Sequence, residues 1–106
     1  MKNRYKVDVF HVVDGDTFYG HLRDEDIQLT IPDQKFRFLG VDTPERGEEG
    51  YQAATDFTEH YCENKTVQVE VYGKDAFGRW LVKVIVGAVD FNQLLLDKKL
   101  AVVYKR

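Results

Sequence analysis

Hydrophobic and polar residues alternate along the first part of the chain and predict a β-strand over residues 5–13. The apolar positions are odd-numbered as far as Val9 and become even-numbered at Phe10 and Val12. Because side chains in a strand alternate between two faces, a shift of one position sends them to the opposite face. We therefore expect a bend or a β-bulge near Val9–Phe10.

Shorter runs with the same alternation predict the remaining strands, and clusters of glycine, proline and acidic residues predict the turns. A turn at Asp14-Gly15 separates the first two strands, and Pro32-Asp33 is expected to end the third. The later strands are predicted at residues 17–22, 27–31, 36–41, 67–71 and 80–86, with an extended segment at 100–104.

Two segments have helical spacing instead. Apolar residues recur at intervals of three and four over 48–63, which predicts a helix that stops at Asn64. Asp90 is suited to cap a short helix over 91–98. Short strands with one main helix and a short second helix predict a mainly β, α+β fold. The expected architecture is a five-stranded Greek-key barrel of the OB-fold type.

Composition and length indicate one folded unit. The chain has 106 residues, 43% of them hydrophobic and 13% aromatic, so we expect a single domain over 1–106 rather than a disordered segment. No apolar run reaches the ~20 residues of a membrane span, so we expect no membrane partner. We also expect the protein to be a monomer. Cys62 is the only cysteine, which excludes an internal disulfide. The first residues lack the apolar segment of a secretory signal peptide. A mature form from which such a peptide had been cleaved would look the same.

The charge balance argues against binding nucleic acid through a broad basic surface. There are 15 lysines and arginines against 18 aspartates and glutamates, for a formal net charge of −3. Proteins that hold nucleic acid by bulk electrostatics usually carry a basic patch. If phosphate is the substrate, it must be recognised locally by a few placed cations or by a metal ion.

The first segment with candidate chemistry is VVDGDT, residues 12–17. Asp14 and Asp16 are two residues apart, so their carboxylates point the same way if the backbone is extended, which provides half of a hard-cation site. The alternative is an ordinary Asp-Gly hairpin turn with no ligand.

The second segment is FRFLGVDTPE, residues 36–45. An arginine in an apolar strand costs free energy unless it is paired or directed at a ligand, so Arg37 either forms a structural ion pair or binds substrate. Asp42 and Glu45 follow on a turn. Positions 37 and 42 have opposite parity, so Arg37 and Asp42 converge only if the strand bends, and we expect the bend at Gly40.

The third segment is FGRW, residues 77–80, which begins a strand after a polar loop. Arg79 is either a phosphate contact or an ordinary solvent-exposed arginine. Taken together, the three segments supply hard-metal ligands, a candidate general base and two guanidinium groups. Phosphodiester hydrolysis needs these parts to bind a cation, to deprotonate water and to neutralise the phosphate.

In these segments the sequence resembles the staphylococcal nuclease (thermonuclease) family. The matching strings are VVDGDTF, FRFLGVDTPE and FGRWLVKV, and their order, the intervening helix and the tail FNQLLLDKKLAVVYK also match. The resemblance implies an OB-fold barrel and Ca²⁺-dependent hydrolysis of single-stranded or unpaired DNA and RNA to 3′-phosphate ends. It implies that Asp16, Asp42 and the Thr43 carbonyl bind Ca²⁺, with Asp14 and the Thr43 hydroxyl supporting them.

The resemblance also implies the catalytic roles. Glu45 is expected to act as the general base for the attacking water, and Arg37 and Arg79 are expected to hold the phosphate. Phe77 replaces a tyrosine that is common in the family, and Tyr104 is a candidate contact for a nucleotide base.

The sequence departs from the family in other ways. The loop after Glu45 is short and acidic, and the chain stops before the large C-terminal helix of the secreted enzymes. Because the chain is hardly basic even when the acids of the proposed site are discounted, we expect weak, metal-dependent binding of substrate. The alternative function is a non-catalytic SNase-like module that binds nucleic acid or protein, but such modules normally lack some of the catalytic residues.

Overall fold

A strongly coiled sheet makes up most of the protein, which a computed structural model describes over residues 2–104. Two helices pack on this sheet. Within these residues the elements in chain order are β1 (Arg4–Asp14), β2 (Thr17–Asp24), β3 (Leu29–Phe38), β4 (Val41–Asp42), α1 (Tyr51–Cys62), β5 (Thr66–Lys74), β6 (Trp80–Val86), β7 (Val89–Asp90), α2 (Phe91–Asp97) and β8 (Val102–Val103).

Five of the strands close into a barrel. The antiparallel order is β3-β2-β1-β5-β6, and β3 also pairs with β6 in parallel from Phe36–Trp80 to Phe38–Val82. β7 extends the sheet beyond β6, and β4 pairs separately with β8. The predicted fold class, a mainly β five-stranded barrel of the OB type with two helices, is confirmed.

Aromatic and β-branched side chains fill the barrel. Phe18, Phe36 and Phe38 are fully buried and contact one another through tilted or edge-on rings, with centroids 5.3 to 5.6 Å apart. Phe91 at the start of α2 joins this cluster and stacks on Phe57 of α1. Aromatic packing therefore fixes both helices to the barrel.

The bulge expected in the first strand is confirmed. The register between β1 and β2 shifts between Val9 and His11, so that Phe10 is the extra residue. Val9 and Val12 are buried, whereas Phe10 and His11 are both exposed. The bulge thus allows two neighbouring side chains to point outward without disturbing the apolar face.

The prediction that Pro32-Asp33 ends a strand is wrong, because β3 continues to Phe38. The β2–β3 register passes from Leu22–Ile31 to Gly20–Gln34, so β3 carries an extra residue there. Pro32 lies in this irregularity, where its missing N–H removes no ladder hydrogen bond.

The strand predicted over 36–41 is interrupted where a bend was expected. β3 ends at Phe38, a turn follows, and Gly40 has φ +79°, a conformation that favours glycine.

The main helix is shorter than the predicted 48–63, and Asn64 just beyond it has φ +59°. Asp90 caps α2 as predicted, accepting a hydrogen bond from the Gln93 N–H.

The longest helix has 12 residues, and no helix among residues 2–104 is long and apolar enough to cross a membrane.

Candidate active site

The hairpin turn between β1 and β2 is held against helix α1. The Thr58 hydroxyl donates a hydrogen bond of 2.7 Å to the Gly15 carbonyl. A Cβ at Gly15 would lie 2.8 Å from the Thr43 Cγ2 and 2.9 Å from the Ala54 Cβ. The turn therefore needs glycine for close approach, and the helix fixes the position of the next residue, Asp16.

Asp16 is buried and accepts hydrogen bonds at both carboxylate oxygens. Its Oδ1 accepts from the Thr17 hydroxyl at 2.9 Å, and its Oδ2 accepts from the Thr43 N–H at 2.9 Å. Nη1 of Arg37 lies 3.4 Å from the same Oδ2. These contacts tie the hairpin turn to the segment that follows β4.

Arg37 connects this buried carboxylate with an exposed one. Its Nη1 donates to the carbonyls of Phe38 and Val41 at 2.9 and 2.8 Å, so the guanidinium is anchored to the bend. Its Nη2 lies 3.3 Å from Oδ1 of Asp42. The side chain of Arg37 is 11% exposed and that of Asp42 is 47% exposed, so this edge of the guanidinium faces the surface.

Asp14 and Asp16 share one negative environment. Burial, together with the neighbouring Asp16 carboxylate, raises the pKa of Asp14 to about 6. Burial also acts to raise the pKa of Asp16, but hydrogen bonds from Asp14, the Thr43 N–H and Thr17, with the positive charge of Arg37, hold it below its usual value. Asp16 is therefore the carboxylate that keeps its charge.

The donor atoms around Asp16 are suited to a hard cation. They are carboxylate oxygens of Asp14, Asp16 and Asp42, and the hydroxyl of Thr43, which is buried without a hydrogen-bond partner in the structure. Oxygen ligands are those that Ca²⁺ prefers. Among residues 2–104, however, no three His, Cys, Asp or Glu side chains are gathered closely enough to form a ready-made metal site.

An open groove of about 410 Å³ reaches Asp42 and Thr43 from the surface. Glu48, Glu49 and Lys99 also line it, so its charged groups are mainly acidic. An acidic approach favours entry of a cation and disfavours entry of phosphate.

Glu45 lies on the surface, on the turn that leads to α1. Its N–H donates a hydrogen bond of 2.6 Å to the carboxylate of Glu48, and the Glu48 N–H donates to the Glu45 carbonyl at 2.9 Å. This reciprocal pair fixes the backbone at Glu45 and leaves its side chain exposed to solvent.

Arg79 is held by an acid that the sequence reading did not single out. Nε of Arg79 donates to Oδ2 of Asp75 at 2.6 Å, and the other Asp75 oxygen accepts from the N–H groups of Phe77 and Arg79 at 2.9 Å. The side chain of Asp75 is only 2% exposed and that of Arg79 is 24% exposed. Burial acts to raise the pKa of Asp75, but the hydrogen bonds from Arg79 outweigh it and lower that pKa.

The strand register relates the position of Arg79 to that of Arg37. Arg37 pairs with Leu81 in the parallel β3–β6 ladder, and Arg79 precedes Leu81 by two residues. Side chains two residues apart share a face and lie about 7 Å apart along a strand. Arg79 lies one residue before β6, so continuing this register would put it on the face of Arg37, but its contacts among residues 2–104 are with Asp75 and Phe77 and not with the acids around Arg37.

Two aromatic residues flank the arginines. The ring of Phe77 is 84% exposed and its centroid lies 5.5 Å from Cζ of Arg79. The ring of Tyr104 lies 5.6 Å from Cζ of Arg37, and the Tyr104 N–H donates to the Gly40 carbonyl at 2.9 Å. The pairing of β8 with β4 thus places Tyr104, which follows β8, next to the bend at Gly40.

The structure brings together Asp14, Asp16, Arg37, Asp42 and Thr43, with Tyr104 beside them. Sequence reasoning missed Asp75 and Glu48. Asp75 begins the polar loop that leads into FGRW, and an aspartate that starts a short loop commonly accepts hydrogen bonds from the N–H groups that follow. Glu48 follows Glu45 by three residues, the spacing at which a glutamate side chain can reach back to a free N–H group.

Comparison with known proteins gives consistent matches. Residues 35–106 match the family model described as Staphylococcal nuclease homologue. A thermonuclease of Staphylococcus hyicus is 34% identical over 107 residues, which cover 93% of this chain and 59% of that protein. A thermonuclease of Staphylococcus intermedius is 36% identical over 101 residues, covering 88% of this chain and 56% of that protein. The chain thus spans less than two thirds of the length of these relatives.

Proposed function

The chain belongs to the staphylococcal nuclease homologue family, and from this premise we propose that it is a Ca²⁺-dependent nuclease. The substrates proposed are single-stranded or unpaired DNA and RNA, cut to leave 3′-phosphate ends. One observation carries the proposal: the Arg37 guanidinium lies 3.4 Å from Asp16 and 3.3 Å from Asp42, and Thr43, whose N–H donates to Asp16, has a buried hydroxyl with no hydrogen-bond partner among residues 2–104. The guanidinium can bind a phosphate, and the two carboxylates with a further oxygen donor can bind a metal ion. Hydrolysis of a phosphodiester needs both kinds of group at one place.

Asp16, Asp42 and the Thr43 carbonyl are the proposed ligands of Ca²⁺, with Asp14 next to them. All are oxygen donors, which suits this ion. A bound Ca²⁺ would offset the negative charge that develops on the phosphate during hydrolysis. Asp16 is suited to its role because its lowered pKa keeps it ionised, and Asp14, whose pKa is raised to about 6, is also mainly ionised at neutral pH.

Arg37 is proposed to hold the phosphate through its exposed edge. Nη1 is occupied by the carbonyls of Phe38 and Val41, whereas the hydrogen-bond partner of Nη2 within residues 2–104 is the half-exposed Asp42 at 3.3 Å. A guanidinium anchored on one side loses little freedom when the other side binds a phosphate oxygen. Arg79 would donate to a second phosphate oxygen.

Glu45 is proposed to take the proton from the attacking water. As the water oxygen bonds to phosphorus, the bond from phosphorus to the 5′-oxygen breaks, and the leaving oxygen takes up a proton to become a 5′-hydroxyl. The other product keeps the 3′-phosphate. The exposed side chain of Glu45, on a backbone fixed by Glu48, is suited to meet a water at the surface.

Paired substitutions test this assignment. Glu45→Gln should lower the turnover of denatured DNA by about 10²-fold to 10⁴-fold, the usual contribution of a general base, while the fold is retained. Asp56→Asn is the control, because Asp56 is an exposed acid on α1 outside the groove at Asp42, and this variant should cleave at the wild-type rate. Cleavage at the wild-type rate by purified Glu45→Gln protein would contradict the assignment.

A non-catalytic binding module is the second candidate function. It is favoured by the 2.6 Å pairing of Arg79 with Asp75 and by the absence, among residues 2–104, of a gathered three-acid metal site. A Ca²⁺-independent complex with an oligonucleotide that is never cut would support this module and contradict the nuclease.

A further inference from the structure

The outer face of the first three strands carries a group of flat and cationic side chains that the proposed chemistry does not use. We call this group the aromatic platform and define it as Phe10, His11, Tyr19, His21 and Lys35. Tyr19 pairs with His11 across β1–β2 and with Lys35 across β2–β3, so the three lie in one row over three strands.

Two irregularities in strand pairing build the platform. The bulge in β1 at Phe10 turns both Phe10 and His11 outward, so two rings replace the one that a regular strand would present. The second irregularity lies in the β2–β3 ladder opposite His21, whose Nδ1 accepts a hydrogen bond of 3.2 Å from the Asp33 N–H. This contact fixes the orientation of the His21 ring.

Tyr19 is stacked with both Phe10 and His11, and Phe10 is tilted against His21. Phe10 and Tyr19 have centroids 6.3 Å apart and planes inclined by 24°, and for His11 and Tyr19 the values are 6.4 Å and 21°. Phe10 and His21 are 5.0 Å apart and inclined by 35°. Nζ of Lys35 lies 5.4 Å from the Tyr19 centroid. Flat rings with a cation among them form the surface on which the bases of a single strand stack.

The platform is exposed at Phe10 and His11, whereas Tyr19, His21 and Lys35 are half-buried. Phe10 is 42% exposed and the side chain of His11 is 60% exposed. Two neighbouring acids already have partners: Glu63, 3.9 Å from His11, accepts from the Val12 N–H, and Asp8 is paired with Arg23.

The platform continues directly from the candidate active site. Thr17 pairs with Arg37, and two residues further along the same ladder Tyr19 pairs with Lys35. The Tyr19–Lys35 row therefore lies about 7 Å along the strands from the Thr17–Arg37 row, on the same face. A phosphate held by Arg37 would place the next nucleotides of an extended strand over these rings.

We propose that the aromatic platform is a stacking subsite for one or two unpaired bases of a single-stranded nucleic acid, next to the phosphate that is cut. The inference rests on the proposed function for its position relative to the cut. The subsite would supply affinity for nucleic acid that a chain of net charge −3 does not gain from a broad basic surface. It would favour unpaired strands because paired bases cannot stack on protein rings.

Binding of a labelled single-stranded thymidine oligonucleotide of about eight nucleotides, measured by fluorescence anisotropy in chelator, tests the subsite. Tyr19→Leu keeps an apolar side chain but removes the ring and should weaken binding by about 10-fold, whereas Tyr19→Phe should bind like the wild type. Tyr72→Leu is the matched control, because Tyr72 is a 49% exposed tyrosine outside the platform, and it should bind like the wild type.

An oligonucleotide with abasic sites gives a second measurement that does not depend on the folding of a variant. The wild type should bind the abasic strand about 10-fold more weakly than the intact strand. Equal binding of the two strands by the wild type, equal binding by Tyr19→Leu and wild type, or no binding by the wild type would each overturn the subsite.

Digestion of the same oligonucleotide in Ca²⁺ separates the two proposals. If the wild type binds through Tyr19 but never cuts, the subsite stands and the nuclease proposal fails. If it cuts and Tyr19→Leu binds unchanged, the nuclease proposal stands and the subsite fails.

Discussion

Nη2 of Arg37 lies 3.3 Å from Oδ1 of Asp42, although a continuous strand would send side chains at positions 37 and 42 to opposite faces. The turn after Phe38 brings them together, and Gly40 in this turn has φ +79°. The Arg37 guanidinium donates to carbonyls on both sides of the same turn, from Phe38 and Val41. The bend is therefore what turns an arginine of a barrel strand into a neighbour of two carboxylates.

Gly40→Ala should lower both stability and activity. A Cβ at Gly40 meets nothing within 4 Å, so its cost is the strain of positive φ, about 1–2 kcal/mol in the free energy of unfolding. Strain at the turn should also separate Arg37 from Asp42 and reduce the rate of cleavage. The measurements are denaturant unfolding and the initial rate on denatured DNA.

Gly87→Ala is the matched control. Gly87 also has positive φ, +64°, with open space around its Cβ, but it lies in the β6–β7 turn. It should cost similar stability and leave the rate unchanged. An equal fall in rate for both variants would mean that Gly40 has no specific role at the site.

Asp75→Asn should destabilise the protein in a pH-dependent way. The buried side chain of Asp75 accepts three hydrogen bonds, and losing the one that Nε of Arg79 donates should cost about 1–3 kcal/mol. Its pKa in the folded state lies below the usual value of 3.8. A lowered pKa adds stability that is complete above the unfolded pKa and is lost as the pH falls through the folded value.

The difference in unfolding free energy between wild type and Asp75→Asn should therefore be constant above about pH 5 and shrink below about pH 4. Urea unfolding at a series of pH values measures it. Asp97→Asn, at an exposed acid, is the control and should change stability little. A difference that grows as the pH falls would contradict the assigned direction.

Glu48→Ala should reduce turnover by removing the acceptor for the Glu45 N–H, whereas Glu48→Gln keeps an oxygen acceptor and should restore most of it. The expected loss for Glu48→Ala is about 10-fold, because the general base loses its fixed position but keeps its chemistry. Comparison of kcat and KM on one oligonucleotide separates this effect from binding. Equal rates for Glu48→Gln and Glu48→Ala would contradict the positioning role.

Parity and turn chemistry predicted the features of the fold that depend on local sequence. The phase change at Phe10 predicted the bulge, and the opposite parity of Arg37 and Asp42 predicted the bend at Gly40. The prediction that the strand ends at Pro32 was wrong. Proline is tolerated in a strand at a bulge, where its backbone nitrogen is not needed for a hydrogen bond to the neighbouring strand. This bulge depends on the pairing with β2, which the sequence of β3 alone does not contain.

The partners of the site residues were less predictable. Asp75 and Arg79 are close in sequence, but whether Arg79 would pair with an acid or remain exposed depended on the fold of the loop between them. The contact of Tyr104 with Arg37 depends on the pairing of β4 with β8, which are distant in sequence. Short two-residue strands carry too little pattern to predict such a pairing.

The most direct test of the central claim is digestion of denatured DNA by the purified protein in Ca²⁺ and in chelator, followed by analysis of the ends. We expect cleavage in Ca²⁺, none in chelator, and products with 3′-phosphate and 5′-hydroxyl ends. Full activity in chelator, or products with 5′-phosphate ends, would contradict the proposed reaction at Asp16, Arg37 and Asp42.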